Sequence, residues 1–332
     1  MKTYSFKEEC GVFGIWNHPE AAKLSYLGLY AQQHRGQESC GIVSLEKNNH
    51  QSGLQVKHHI HKGLGLVGDV FNDKNLSLLL GESAVGHVRY STTGQNLMVN
   101  AQPLTSNLLN GPVAVAHNGN IVNQSILREA LQREGSIFQG TNDTEILLHL
   151  MAKNPSNDLL TAFSESAEQI IGAYSFVILS NDRLLAARDP LGFRPLVLGQ
   201  IVTSLGLSYV VASESCAFDL IGAEYIREIE PGEILEISAS GLKSEKIKII
   251  LGQLYMPPNY GKKYTDDFAK VYSAVAKKNK VPLLGFLLEQ IAGKPEFNLN
   301  DGIHPNEKGH KIVADNMYKE LKPILLKIEN EK

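Results

Sequence analysis

Short apolar segments bounded by turn-forming residues fill the chain from residue 10 to about residue 248 and constrain its fold more than any other feature. Apolar runs of this kind between turn formers are typical of β-strands. Turns as short as SNDR, at residues 180–183, favour antiparallel pairing. The strand segments are CGVFGIW, CGIVSL, AVGHVRY, VAVAHNG, AYSFVIL, LLAARD, LVLGQI, YVVAS and EILEI.

Helical periodicity interrupts these strands at residues 20–33, 123–134 and 143–152, where apolar side chains recur at helical spacing. Asn123 is expected to cap the second of these helices. Together the two patterns predict an α+β fold built in layers, with mostly antiparallel strands.

The amino-acid composition of the sequence changes near residue 250. Residues 249–262 are rich in Pro, Gly and Tyr, and the chain beyond them is rich in Lys. Amphipathic helices are predicted over residues 265–279 and 306–327. We therefore expect a domain boundary near residue 250 and a mostly helical segment after it.

Composition excludes several classes of protein. The 332 residues carry a net charge of −3, which offers no electrostatic attraction for nucleic acid or for an anionic membrane. No apolar run approaches the roughly 20 residues that span a bilayer, and the start, MKTYSFKEEC, lacks the apolar core of a secretory signal. Three widely spaced cysteines do not suit a disulfide framework or a zinc site. The prediction is a cytoplasmic protein without a metal.

Cys10 opens the first strand, and two interpretations of it stay open. A cysteine at such a place is usually a small buried hydrophobe, as we also expect of Cys40 and Cys216. If residues 1–9 were removed, the α-amino group of Cys10 would lie beside its own thiol. An amine with a pKa of about 8 can accept the thiol proton, so one residue would supply nucleophile and base.

Four further residues each have a structural and a chemical interpretation. Asn118 and Gly119 form a dipeptide that is common at hairpin corners, but the Asn118 amide and the Gly119 N–H can also converge on an oxyanion. Asp143 would ordinarily cap a helix, but as a free carboxylate it can bind an ammonium group. RYSTTG can be a polar turn after a strand, but Arg89 among its hydroxyls also suits a carboxylate. Arg89 and Asp143 together would hold an α-amino acid by its two charged ends.

The order and spacing of many motifs over about residues 5–248 resemble the glutaminase domain of the glutamine phosphoribosylpyrophosphate amidotransferase (amidophosphoribosyltransferase) family. That domain is a class II, or N-terminal-nucleophile (Ntn), glutamine amidotransferase domain. The motifs are ECGVFGIW, QHRGQESCGI, GHVRYSTTG, AQPL, AHNGNIVN, GSIFQGTNDTE, RDPLGFRPL, VASESCAFD and EIEPGEILEI.

This resemblance implies a four-layer αββα sandwich over residues 10–250 and a propeptide at residues 1–9. It implies that Cys10 is the nucleophile and that Asn118 and Gly119 hold the oxyanion. L-Glutamine is the small-molecule substrate that it implies, no cofactor is expected, and a homo-oligomer is a possible assembly. The implied substrate-binding residues are Arg35, Arg89, Thr92 and Asp143.

After residue 250 the chain departs from that family, because the paired acids and Gly/Thr-rich phosphate loop of a phosphoribosyltransferase do not follow. Residues 251–332 instead resemble the end of an SGNH (GDSL-type) esterase, in which an Asp-x-x-His element, here Asp301 and His304, supplies two members of a catalytic triad. The serine block of that family is not found in this sequence. We therefore interpret Asp301 and His304 as part of a polar loop before the helix near Asn306.

Three hypotheses follow from the sequence. The first is a glutaminase half-reaction through a Cys10 thioester, as in the first step of purine nucleotide biosynthesis, with free ammonia as product. The second is an inactive fusion or a glutamine-binding remnant, which a blocked amine at Cys10 would favour. The third is an esterase using His304, which the missing serine argues against.

Overall fold

Two β-sheets organise the first of the two units into which the chain divides, Met1–Ile247 and Lys248–Lys332. The computed structural model describes residues 10–50, 53–90, 97–109, 111–246, 250–256, 258–279 and 281–330. None of the described helices combines the length and the hydropathy that crossing a membrane requires.

The first sheet contains, within the described residues, seven strands in the order β11-β9-β10-β1-β4-β2-β3, and every neighbouring pair is antiparallel. Its strands are β1 (Gly11–Trp16), β2 (Ser39–His50), β3 (Gly53–Leu64), β4 (Ser83–Arg89), β9 (Val197–Thr203), β10 (Gly206–Ala212) and β11 (Glu224–Glu228).

The second sheet contains, within the same described ranges, six antiparallel strands in the order β13-β12-β8-β7-β6-β5. Its strands are β5 (Leu104–Leu108), β6 (Gly111–Ile121), β7 (Gly172–Ser180), β8 (Arg183–Arg188), β12 (Glu233–Ser238) and β13 (Gly241–Lys246).

Helices cover the outer face of each sheet. Those on the first sheet are α1 (Ala21–Ala31), α2 (Val67–Val70), α3 (Asp73–Leu76) and α7 (Cys216–Ile221). Those on the second sheet are α4 (Gln124–Arg133), α5 (Thr144–Lys153) and α6 (Leu159–Ala167). The order of layers is helix, sheet, sheet, helix, which confirms the predicted four-layer αββα sandwich.

Alternation along each strand divides its side chains between two cores. On β4, Ala84 and Val88 pack against the helices of the first sheet, whereas Val85 packs between the two sheets. On β6, Val113 and Val115 face the helices of the second sheet, and the alternate positions face the first sheet. Because the side chains of a strand have a period of two, the sequence of a strand fixes which of its residues can reach the space between the sheets.

The second unit contains β14 (Leu251–Gln253), α8 (Lys262–Asn279), β15 (Leu283–Phe286) and α9 (Glu307–Asn330). Its two strands pair in parallel, and the chain between them includes α8, as a parallel connection requires. The two helices confirm the amphipathic periodicity of residues 265–279 and 306–327.

The structure excludes one of the two interpretations of Asn118 and Gly119, and two expectations about local structure are wrong. Asn118 and Gly119 do not form a hairpin corner, because both lie inside β6 and pair with β7. Asn123 stands at the start of α4 but makes no capping hydrogen bond, since its side chain bonds instead to the Gln169 carbonyl and the Ile171 N–H. Cys216 begins α7 and is half-exposed rather than part of the core.

Candidate active site

Polar side chains are buried at one end of the space between the sheets, which elsewhere is lined by Val, Leu, Ile and Ala. They come from β4, from β6 and from the ends of strands β1 and β10. The alternation that turns Val85 inward does the same for His87 and Arg89 two and four residues later. The members of this group are Cys10, His87, Arg89, Asn118 and Ser213.

Cys10 precedes β1 in the left-handed conformation, with φ of 61° and only 6% of its surface exposed. Its Sγ lies 3.3 Å from the Tyr90 carbonyl oxygen, to which the thiol donates, and 3.4 Å from the Tyr90 nitrogen. Burial raises the pKa of the Cys10 thiol to about 11, although the Tyr90 backbone and the positive charges of Arg89 and Arg194 act in the opposite direction. The thiol is therefore protonated at neutral pH unless a base accepts its proton.

Arg35 holds the main chain of Cys10 on both sides. Its Nε donates to the Cys10 carbonyl oxygen at 2.7 Å, and its own carbonyl accepts the Cys10 N–H at 2.9 Å. Its guanidinium also donates to the carboxylate of Glu214. Burial raises the pKa of Glu214, but Arg35, His34 and Cys216 together lower it by a larger amount, so the net pKa lies below its usual value. Arg35 therefore contacts both main-chain polar groups of the residue that carries the thiol, and its part in substrate binding stays a prediction.

Asn118 projects from β6 towards the first sheet. Its Nδ2 donates to Ser213 Oγ at 3.4 Å, and the same hydroxyl accepts the Val12 N–H at 3.0 Å. Ser213 therefore links Asn118 to the strand that begins directly after Cys10. The sequence assigned no role to Ser213, although its position immediately after β10, within VASES, placed it at a strand end.

Gly119 follows with φ of +146°, a conformation that L-residues rarely adopt. A Cβ at this position would lie 2.0 Å from the Ala173 carbonyl oxygen on β7. Only glycine fits this backbone. The close approach of β6 to β7 at this residue is compatible with the Gly119 N–H being directed at a ligand.

Asp143 occupies the capping position of α5, but its side chain makes no cap hydrogen bond. One carboxylate oxygen instead accepts the Ile121 N–H at 2.9 Å, and the other lies 3.6 Å from Nδ1 of His117. Burial raises the pKa of Asp143, but His117 and the N–H groups of Ile121 and Thr144 lower it by more, so the net pKa lies below the ordinary value. The side chain is thus a buried carboxylate that favours its ionised form.

Arg89 ends β4 with 3% of its surface exposed. Both Arg89 and Asp143 influence the pKa of the Cys10 thiol, so the structure brings the two predicted ends of the amino-acid site close to the predicted nucleophile. Thr92, the remaining predicted binding residue, lies outside the described residues.

A loop at residues 188–195 also lies beside the site, and the sequence alone assigned no role to it. The carboxylate of Asp189 accepts the N–H groups of Leu191, Phe193 and Arg194 at 3.0–3.2 Å. Ser175, which pairs with Asn118 across the sheet, donates to the Pro195 carbonyl at 3.2 Å. The RDPLGFRPL motif therefore builds a loop that is fixed beside Asn118 and brings Arg194 within electrostatic reach of Cys10.

Asp301 and His304, in the second unit, lie on a loop before α9. Nδ1 of His304 is 2.8 Å from the Asp301 carboxylate, and both side chains are exposed. Backbone N–H groups of His304 and Ile303 lower the pKa of Asp301 to about 2. Asn306 then begins the helix by accepting N–H groups of Lys308 and Gly309, as expected of a polar loop before that helix.

No group of three or more His, Cys, Asp or Glu side chains among the described residues is arranged to hold a metal ion. The candidate site thus consists of a buried thiol, amide and hydroxyl groups, a guanidinium and a carboxylate.

Two families match consecutive parts of the chain. Residues 87–219, which include Arg89, Asn118, Gly119, Asp143 and Ser213, match the family described as Glutamine amidotransferase domain. Residues 213–317 match the family described as GDSL-like Lipase/Acylhydrolase.

Similar proteins match the larger unit. An amidophosphoribosyltransferase of Bacillus subtilis is 46% identical over 243 residues, which is 73% of this chain and 48% of that protein. Amidophosphoribosyltransferase 1, chloroplastic, of Arabidopsis thaliana is 48% identical over 72% of this chain and 40% of that protein. This chain spans about half the length of the curated relatives that it matches.

A solved structure is similar over a longer range. The glutamine phosphoribosylpyrophosphate amidotransferase from B. subtilis, complexed with ADP and GMP, aligns with a TM-score of 0.66 and 34% identity. The alignment covers 91% of this chain and 70% of that protein.

Proposed function

This chain belongs, through its larger unit, to the class II glutamine amidotransferases of the amidophosphoribosyltransferase type, and on that basis we propose that it hydrolyses L-glutamine to glutamate and ammonia through a thioester on Cys10. The observation that carries this proposal is the position of Cys10. Its thiol lies at the end of the sheet interface where Asn118, Arg89 and Asp143 are also buried. A nucleophile, an amide donor and two opposite charges are what cleavage of an amino-acid side-chain amide needs.

Substrate binding uses the two charges. The Arg89 guanidinium pairs with the α-carboxylate of glutamine through two parallel hydrogen bonds, and the ionised Asp143 pairs with its α-ammonium group. These contacts hold the main-chain end of the substrate. The side-chain amide is then free to extend towards Cys10.

The reaction proceeds in two halves. The α-amine of Cys10 accepts the thiol proton, the thiolate attacks the amide carbon, and the Asn118 side chain and the Gly119 N–H donate to the oxyanion that forms. The carbon–nitrogen bond then breaks, the nitrogen takes a proton from the α-ammonium group of Cys10, and ammonia leaves a thioester. A water molecule gives its proton to the same amine and attacks the thioester, which releases glutamate and restores the thiol.

Removal of residues 1–9 is part of this proposal. The raised pKa of the Cys10 thiol means that it needs a base, and an α-amino group on the same residue is in reach of the thiol. While Cys10 is joined to residue 9, its nitrogen is an amide that donates to the Arg35 carbonyl and cannot accept a proton. Arg35 would keep the released amine in the same place.

We propose free ammonia as the product of this chain. The site itself holds the groups that amide hydrolysis needs, and the residues that follow the larger unit match a GDSL-like hydrolase family. We also assign the protein to a reducing compartment such as the cytoplasm, because a catalytic thiol and two further free cysteines must stay reduced.

The test measures three quantities on the purified 332-residue chain. Intact mass shows whether the mature chain begins at Cys10, and glutamate and ammonia are quantified after incubation with L-glutamine. Cys10→Ala should abolish release of both, and the matched control Cys40→Ala, at another buried cysteine, should retain it. A chain that begins at Cys10 and binds glutamine without releasing glutamate would overturn the proposal in favour of a glutamine-binding remnant.

A further inference from the structure

A histidine without surface exposure lies in the apolar space between the two sheets. His87 on β4 is 0% exposed, and its neighbours in that layer include Val85, Ala116 and Val177. A polar ring in such surroundings lowers stability unless it is hydrogen-bonded. Its Nε2 donates to the His117 carbonyl on β6 at 2.9 Å, so this side chain joins the first sheet to the second.

Among the residues that the structure describes, no strand pairs with β6 at His117 on the side of β5. Pairing between β5 and β6 ends at Leu104 and Val115, two residues before His117. Side chains take the place of a paired strand there, since the His117 N–H donates to Oε1 of Gln102 at 2.7 Å and the His117 carbonyl accepts from His87. The position of the peptide group that joins His117 to Asn118 therefore depends on these side chains.

The same histidine lies next to the strand that follows Cys10. In the pairing of β1 with β4, His87 is directly opposite Val12. Val12 donates its N–H to Ser213, whose hydroxyl also accepts from Asn118. Ser213 thus links the strand after the thiol to Asn118, and His87 links the neighbouring strand β4 to the strand that carries Asn118.

We propose that His87 is a positioning residue for glutamine hydrolysis, because its hydrogen bond to the His117 carbonyl holds Asn118 and Gly119 at the distance from Cys10 that oxyanion stabilisation requires. This inference rests on the proposed function. His87 touches neither the substrate nor the thiol, and it acts through the backbone of β6.

The charge state of the ring suits a fixed cross-link. Burial lowers the pKa of His87 to about 3, the hydrogen bond to the His117 carbonyl raises it, and His117 and Arg89 are the titratable neighbours that lower it further. The ring is thus neutral at the pH values where the reaction runs. Because a carbonyl only accepts, the proton resides on Nε2, and the cross-link persists across that range.

Variants at His87 test this role. His87→Leu removes the donor at similar volume, whereas His87→Gln retains an N–H near the position of Nε2. Val85→Ala is the matched control, since Val85 is equally buried on the same face of the same strand but belongs to no hydrogen bond across the sheets. Steady-state glutaminase kinetics are measured on all three, with circular dichroism to verify folding.

We expect His87→Leu to lower kcat by about 10- to 100-fold, because small misplacements of a reacting group have effects of this size. KM should change less than kcat, because the two substrate-binding charges, Arg89 and Asp143, are both retained in this variant. His87→Gln should recover most of the kcat, and Val85→Ala should retain it. In an Asn118→Ala background, His87→Leu should lower kcat by a much smaller factor, since the side-chain donor that His87 positions is already absent.

The outcomes separate this inference from the proposed function. An inactive wild-type chain with Cys10 at its N-terminus refutes the proposed function, whatever the His87 variants do. An active wild type with an unchanged kcat in His87→Leu refutes the positioning role alone. A folded His87→Leu whose loss is equal in the presence and absence of Asn118, or is not reduced in His87→Gln, refutes it as well.

Discussion

Gly119→Ala perturbs the backbone of β6 at the proposed oxyanion donor, and its effect can be worked out from two features of the structure. The first is the φ of +146°, which a residue with a Cβ adopts at a cost of about 1–3 kcal/mol. The second is the Ala173 carbonyl oxygen, which would lie 2.0 Å from the new Cβ. That oxygen belongs to the backbone of β7, so no side-chain rotation relieves the overlap.

A normal contact requires strands β6 and β7 to separate by at least about 1 Å at this point. Overpacking of this kind costs about 1–3 kcal/mol, so together with the strain we expect the free energy of unfolding to fall by about 2–6 kcal/mol. A displacement of about 1 Å at a reacting centre can lower the rate about 100-fold. Gly119→Ala should therefore lose both stability and at least this much of kcat.

Urea denaturation and glutamate release measure the two effects. Gly206→Ala is the control, because Gly206 has a φ of +99° but open space where its Cβ would lie. It should lose about 1–3 kcal/mol of stability through strain alone, with kcat unchanged. A Gly119→Ala variant as stable and active as this control would show that the approach of β7 does not determine the donor position.

Cys10→Ala should abolish glutaminase activity and covalent labelling by a glutamine-like diazoketone, while Cys40→Ala and Cys216→Ala retain both; labelling that persists without Cys10 contradicts its role as nucleophile. Arg89→Lys should raise KM about 10- to 150-fold, which corresponds to the loss of about 1.5–3 kcal/mol of charged hydrogen bonding; an unchanged KM in steady-state kinetics would exclude Arg89 from the carboxylate site. Asp143→Asn should raise KM in the same way through the ammonium end of the substrate. It should also flatten the pH dependence of stability. Because the folded pKa of Asp143 is lowered, its stabilising contribution is complete above the unfolded value of about 4 and is lost as the pH falls towards the folded value. Urea denaturation between neutral pH and pH 3 checks this, and parallel curves for the two proteins would contradict it.

The sequence alone determined the layers and most elements of the larger unit. The alternation in β4 and the short turn between β7 and β8 are local properties, so they predict strands and antiparallel pairing without knowledge of distant contacts. The helical periodicities of residues 265–279 and 306–327 are likewise local, and α8 and α9 include nearly all of both ranges. The motifs also indicated the family, because the order of many segments along the chain is itself sequence information.

Tertiary structure decided what the polar residues of the site do. Asn118 and Gly119 have a strong local preference for a turn, but pairing with β7 keeps them inside a strand. Asp143 stands where a cap is expected, yet its carboxylate bonds to Ile121, which is 22 residues away in the sequence. His87 contacts a carbonyl 30 residues away, and Asn118 contacts a hydroxyl 95 residues away. A local pattern carries no information about partners at such separations, because they meet only when the two sheets stack and the buried polar groups must find hydrogen bonds there.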